Sequence, residues 1–464
     1  METYMSIFSE DQLRGASSLL RDGLRLTEGT SLLLLHQKEF SDAAQCVREV
    51  AQTRGIAVES RVFTREDFFD SYPAQFSPSQ LLLSNPIPVG IVILMEWSEE
   101  TTGARLSLLK HLQQAGTKWR IASMPGVQLK DFASCHSDLG TIEDLSQMVF
   151  AVLARGHVAE VETTNPSGGK DILTIPLRLH CPIISSGRIN DGSWGNFPSG
   201  ETFIVPNEYS ASGAVTVRGS APNYVLNEKE WIRFSLRRGR ILFSTIEASS
   251  ERVKNILSSL FFKASGSVKS RNSNALAELG IGTNGDILSL TGNPIFDEKK
   301  LGTVHIAFGR NDQFNGSLTG SPHHDITCTG ATLRVSGVTV LDRGRFCLTW
   351  SEAKPPLDNA GDKLVKANLT GKFKPTGTPS VTFKAGGVDT ASISVTYDPY
   401  RGDQVSLILG TGNVAEDAMR ILALLQDRPM SVPQLMRIFG HRTPEISNLT
   451  KGLFVYNLVE RSSR

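Results

Sequence analysis

Apolar positions follow different periods in successive parts of the chain. From residue 1 to 158, helical and extended periods alternate. Leu13, Ala16, Leu20 and Leu24 recur at helical spacing, and Ser9 with Gln12 three residues on forms a capping box ahead of them. Residues 31–36 form a short apolar run that reads as a buried strand. Ser41 is placed to cap a helix carrying Ala44, Val47 and Ala51 on one side. Residues 58–63 read as the next strand, and 89–95 as the most apolar one. A helix over 104–114 and a strand over 119–122 follow. Strand, helix and strand in series predict a mostly parallel sheet with helices on its faces. No glycine-rich phosphate loop stands at a strand–helix turn here.

From 159 to 350 glycine becomes frequent and strands shorten. Residues 172–177, 214–217, 231–234 and 303–308 read as strands, and 250–261 as a helix. This is an α+β region. Residues 351–412 read as a charged, proline-containing linker and a β extension, with strands at 380–383, 392–397 and 405–409. From 413 to 464, three short helices are marked by Ala418, Ile421, Leu422 and Leu425, then Leu435, Ile438 and Phe439, then Ile446, Leu449 and Leu453. With a terminal strand at 458–460 they suggest a winged-helix-like module. The fold class is α/β: an N-terminal mostly parallel α/β domain, a central α+β metal-binding domain and a small C-terminal winged-helix-like module.

Composition narrows the function. The 464 residues carry 48 basic and 47 acidic side chains, so the chain does not live mainly on phosphate contacts. Near the third C-terminal helix, Arg442 and Lys451 are the cations, with Glu445 among them. DNA readout needs a richer basic face, so a peptide or protein partner, or dimerisation, is favoured there over DNA. The five cysteines are scattered without a CxxC pair, which argues against a cysteine zinc site or a disulfide framework. No apolar run is long enough to span a bilayer. A cytoplasmic protein without a membrane partner is the expectation.

The candidate chemistry gathers between Glu278 and Asp325. His305 lies on the strand at 303–308. On its own, a histidine between Val304 and Ile306 reads more readily as a core residue. His323 and Asp325 are two apart, so an extended backbone sends both to one face and His324 to the other. Two histidines and a carboxylate suit zinc, iron or manganese, and Glu278 would allow a second metal. His180 and Cys181, side by side on a strand, face opposite ways and do not share a metal.

The stretches AELGIGTN, TGNPIFDEKKLGTVHIAFG and SPHHD resemble the metal-binding core of the aminopeptidase T family of metallopeptidases. The same core is similar to that of non-haem iron dioxygenases that open dihydroxypyridine rings. NFPSGETFIVP, residues 196–206, is similar to a further motif of that family whose glutamate binds metal. The resemblance implies that Glu201, Glu278, His305, His323 and Asp325 hold one or two divalent ions, zinc, cobalt or manganese, and that the enzyme is a homodimer. It implies hydrolysis of a peptide or amide bond, possible within a biosynthetic pathway, with Glu201 and Glu278 in catalytic roles. The family places a catalytic tyrosine shortly after the strand histidine. Here the segment is FGRNDQFNG, residues 308–316, without tyrosine, and Arg310 or Asn311 is the substitute. Two alternatives remain open. One is a mononuclear Fe(II) dioxygenase on His305, His323 and Asp325, acting on a small molecule. The other is a non-catalytic scaffold that binds a peptide or protein.

Overall fold

The computed structural model describes residues 6–64, 88–98, 118–135, 138–177, 182–262, 269–314 and 316–349, with scattered positions over 101–112 and, beyond 349, only the backbone of short strands. Helix α1 (Glu10–Ser18) starts where the sequence places it. Ser9 accepts from the Gln12 amide and the Gln12 side chain accepts from the Ser9 amide, closing the capping box. Helix α2 (Ser41–Thr53) departs from expectation at its start: Phe40 is the cap residue and makes no side-chain cap. The Ser41 hydroxyl instead donates back to the Lys38 carbonyl at 2.6 Å, within the preceding 3-10 turn.

Strands β1 (Ser31–Gln37), β2 (Ala57–Phe63), β3 (Gly90–Met95) and β4 (Arg120–Pro125) pair in parallel in the order β2-β1-β3-β4. Their apolar runs do not alternate because both faces are covered. Leu32, Leu34, Val92 and Leu94 pack with α1 and α2, while Leu33, Leu35, Ile91 and Ile93 pack with Leu108, Leu109 and Leu112 on the other side. The described positions over 101–112 are helical, as the sequence suggests. Beyond β5 (Val158–Thr164), β6 (Lys170–Pro176) and β7 (Ile183–Ser185), a fifth parallel strand joins the sheet at β4. It is β8 (Trp194–Asn196), from much further along the chain.

The rest of the described chain builds two antiparallel sheets. One contains β5, β6, β10 (Ser212–Val217), β13 (Ile232–Arg237), β14 (Arg240–Ile241), β15 (Glu247–Ala248), β19 (Thr332–Val335), β20 (Val338–Asp342) and β21 (Arg345–Phe346). The other runs β12-β11-β18-β17-β16-β9-β7. Its remaining members are β9 (Glu201–Ile204), β11 (Gly219–Ala221), β12 (Tyr224–Val225), β16 (Leu276–Gly282), β17 (Val304–Gly309) and β18 (His323–Cys328). Leu173, Val215 and Phe234 of the first meet Leu279, Ile306 and Ile326 of the second in one core, joined by Val149 and Leu153 of helix α3 (Leu139–Arg155) and Val253 and Leu257 of helix α4 (Glu251–Phe261). Ser250 caps α4 by accepting from the Val253 amide.

Strands β23 (Val381–Phe383), β24 (Thr390–Thr396) and β25 (Gln404–Thr411) form an antiparallel sheet where the β extension is expected. The three helices of the winged-helix-like module lie outside the described residues. The described strands there, β26 (Met430–Ser431) and β27 (Val459–Arg461), pair with β22 (Lys372–Pro375). No helix among the described residues is long and apolar enough to cross a membrane.

Candidate metal centre

Period-two alternation on β16, β17 and β18 divides one sheet into a core face and a chemical face. Leu279, Ile306 and Ile326 go to the core. Glu278, His305, His323 and Asp325 go to the other side. Register then sets neighbours. Glu278 and Asp325 both lie opposite Ala307, and His305 lies opposite Gly280. A side chain at 280 has no room: its Cβ would sit 2.0 Å from His305 Nε2. Glu201 enters from β9, opposite Gly282 of β16. Just before it, Gly200 holds φ +128, and a Cβ there would meet that of Asn284 at 2.6 Å.

The structure brings together the five side chains that the sequence offers as candidate ligands. His305 Nε2 lies 3.0 Å from Glu278 Oε1 and 3.5 Å from Glu201 Oε2. His323 Nε2 lies 3.2 Å from Asp325 Oδ1 and 3.6 Å from Glu278 Oε2. His323 Nδ1 donates to the Arg310 carbonyl at 2.7 Å, which fixes the ring and leaves Nε2 facing the carboxylates. Three ligand groups result, each with its donor atoms within 4.8 Å of one another: Glu201, Glu278 and His305; Glu278, His323 and Asp325; and Glu298, His305 and Asp325.

Glu298 and Lys299 were not singled out by the sequence reading. They sit in the charge run 297–300, a pattern normally found on a solvated face. Here helix α5 (Pro294–Asp297) turns the run inward. The Asp297 carboxylate accepts from the Thr291 and Gly292 amides and anchors that turn. Lys299 is 0% exposed, and its ammonium donates to Glu201 Oε1 at 3.0 Å and to Glu298 Oε1. The usable signal was the placement of those charges between apolar Ile295-Phe296 and the apolar strand β17.

Electrostatics follow from burial. Burial alone would lower the histidines, but Glu278 and Glu201 push His305 up to about 9, and Asp325 and Glu278 push His323 up to about 10. Burial would raise Asp325, and His323 outweighs it, holding that carboxyl well below its ordinary range. Burial raises Glu278, and it raises Glu298 well above the usual range despite Lys299. Four carboxylates thus surround one lysine and two histidines. Glu201 Oε2 and Asp325 Oδ1 are buried without a hydrogen-bond partner. Oxygen donors of this kind, clustered beside imidazoles, fit divalent cations.

The substitutes for tyrosine are both occupied. The Arg310 guanidinium donates twice to Asp312, at 2.9 Å each. Asn311 is fully buried, and its amide donates to Glu208 at 2.7 Å and to the Ala277 carbonyl at 3.2 Å, tying down the loop after β17. His324 is buried on the core-facing side of β18. His180 and Cys181 lie outside the described residues. The centre opens onto a cleft of about 1760 Å³, whose walls include Glu201, Glu278, Glu298 and Asp325 as well as Trp97 and Trp194 from the region of the parallel sheet.

An antiparallel sheet presenting carboxylates and histidines into a deep cleft, beside a parallel α/β sheet, describes a metalloenzyme-like architecture. Residues 172–325, about a third of the chain, match the family model described as thermophilic metalloprotease (M29), and that segment contains all six of these side chains. Among solved structures the chain is similar to a 2,5-dihydroxypyridine dioxygenase from Pseudomonas putida KT2440, with 15% identity, TM-score 0.55, and 75% of this chain and 99% of that chain covered. It is also similar to AmpT from Thermus thermophilus, with 15% identity, TM-score 0.49, and 73% and 99% covered. The first of these likenesses shows a shared fold. No curated protein matches.

Proposed function

We propose that the protein is a metal-dependent hydrolase that cleaves a peptide or amide bond. The observation that carries this reading is the shared position of Glu278. Its Oε1 faces His305 and its Oε2 faces His323, so one carboxylate belongs to two ligand groups. Such a carboxylate suits a pair of ions, one held by Glu201, Glu278 and His305 and the other by Glu278, His323 and Asp325. Bound there, divalent metals would supply an activated water and polarise the carbonyl. The chain's own part is positional. The Arg310 carbonyl orients His323, and Lys299 holds Glu201 and Glu298 together. The peptidase family match of residues 172–325 supports the same reaction class.

The mononuclear Fe(II) reading needs His305, His323 and Asp325 on one ion. Among the described residues these three do not form one ligand group, since His305 and His323 fall in different ones. Metal content separates the readings. Elemental analysis of protein purified without oxygen or added metal is expected to give about two zinc, manganese or cobalt ions per chain. His323→Ala is expected to lose one or both, together with hydrolysis of a peptide library. One iron per chain would replace hydrolysis with oxygen chemistry. No metal after reconstitution would sink both.

A further inference from the structure

Arg105 is a buried charged group in the cleft that the metal centre does not explain. It is 6% exposed, yet it lines the same cleft as Glu278 and Asp325. Its Nη1 donates to Ser123 Oγ at 2.7 Å and to Asn196 Oδ1 at 3.5 Å, both neutral. Several other cations of the fold sit on carboxylates, Lys299 on Glu201, Arg233 on Asp171 and Arg188 on Glu143, and Arg25 and Arg240, which like Arg105 bond neutral groups, are not so deeply buried. Arg105 makes no ion pair among the described residues. Burial pulls it down to about 10, which leaves it a cation at neutral pH, and Glu298 across the cleft acts on it only at longer range. A buried guanidinium held by neutral groups is costly unless an anion completes it.

Its location is also that of a ligand site. Ser123 lies on β4 and Asn196 ends β8, adjacent parallel strands. Both are near the carboxyl ends of their strands, outside which open parallel sheets bind ligands. We propose that Arg105, held in place by Ser123 and Asn196, is an anion subsite that takes a carboxylate of the substrate while the bond to be cut lies at the acidic cluster. A guanidinium offers two parallel N–H groups that match the two oxygens of a carboxylate. Arg25 lines the same cleft and adds positive potential, while the charge of Arg188 is met by Glu143 in the same wall. The subsite deepens the hydrolase reading and rests on it for the position of the scissile bond.

Two measurements on the metal-loaded full chain test it. The first compares Ala-Ala with its C-terminal amide, and Ala-Asp amide with Ala-Asn amide. A carboxylate is expected to improve kcat/KM about tenfold or more in at least one pair, and the pair shows whether it comes from the chain terminus or a side chain. In Arg105→Gln that preference is expected to fall to near one, and in Arg105→Lys to recover in part. The second is a fluorescence titration with glutarate against neutral glutaramide, since Trp97 and Trp194 line the cleft. Glutarate is expected to bind at least tenfold tighter, and the advantage is expected to vanish in Arg105→Gln; glutarate held by the metals would bind that variant unchanged. Saturable, Arg105-dependent glutarate binding without cleavage of any peptide would keep the subsite and end the hydrolase reading. Cleavage indifferent to the carboxylate, or equal binding of glutarate and glutaramide by the unaltered protein, would overturn the subsite even if neither variant folds.

Discussion

At the scale of single residues, the centre depends as much on what is missing as on what is present. Gly280 leaves the space that the His305 imidazole fills. Gly280→Ala would force that ring out of line or part β16 from β17. Overpacking of this kind costs about 1–3 kcal/mol, and here it would also displace a proposed metal ligand. The expected result is a lower thermal midpoint without metal and a smaller gain on adding metal; an unchanged gain would show that His305 is not held by this contact. His323 and Asp325 were legible because strand alternation sends both to one face, whereas His305, alone a core histidine, was legible only through the resemblance of its strand to a metal-binding core. Glu298 and Lys299 were not, because a run of four charges carries no period and only α5 turns it inward. Nor could spacing reveal that Glu201 and Glu278 converge on His305; that follows from the pairing of β9 with β16, which brings Glu201 opposite Gly282.

Among elements, β6, β10 and β13 are tied by a polar knot on their sheet. The buried Asp171 carboxylate accepts from Arg233 Nε at 2.9 Å and Nη2 at 3.0 Å, and from the Thr216 hydroxyl at 2.7 Å. Burial would raise this carboxyl, and Arg233 with Thr216 outweighs it and holds it below its ordinary range. A carboxyl depressed on folding contributes stability above its unfolded value. That contribution is lost as pH falls through the lower folded value. Asp171→Ala should therefore cost about 2 kcal/mol in urea unfolding near neutral pH. The gap from wild type should hold from about pH 7 to about 5 and narrow as pH falls below the unfolded value of about 3.9. A gap independent of pH would mean that packing, and not charge, holds these strands. The knot joins residues far apart in sequence, whereas the parallel strands announced themselves through continuous apolar runs.

For the molecule as a whole, the sheet order β2-β1-β3-β4-β8 matters most. The segment Trp194-Gly195-Asn196 has no apolar period, so its place at the end of the first sheet was not legible. Ile189, Phe197, Ile295 and Phe296 also belong to the core that α1 and α2 cover. A fragment of residues 1–158 would lack them and expose both the β4 edge and apolar side chains. It is expected to self-associate in size-exclusion chromatography and to bind a hydrophobic dye. A monomeric fragment with cooperative unfolding would contradict this.

The same topology orders events during synthesis. When β1 to β4 have left the ribosome, the groups that close their sheet and core are still untranslated. The edge of the first sheet stays open until β8 emerges, and its core stays incomplete until Phe296 does. By then Glu201 and Glu278 are out, and the charges that follow Phe296 are the next to appear. Completion of the first core and assembly of the candidate metal ligands are therefore expected to fall within one short window of translation, a window in which chaperones have an unfinished core to guard.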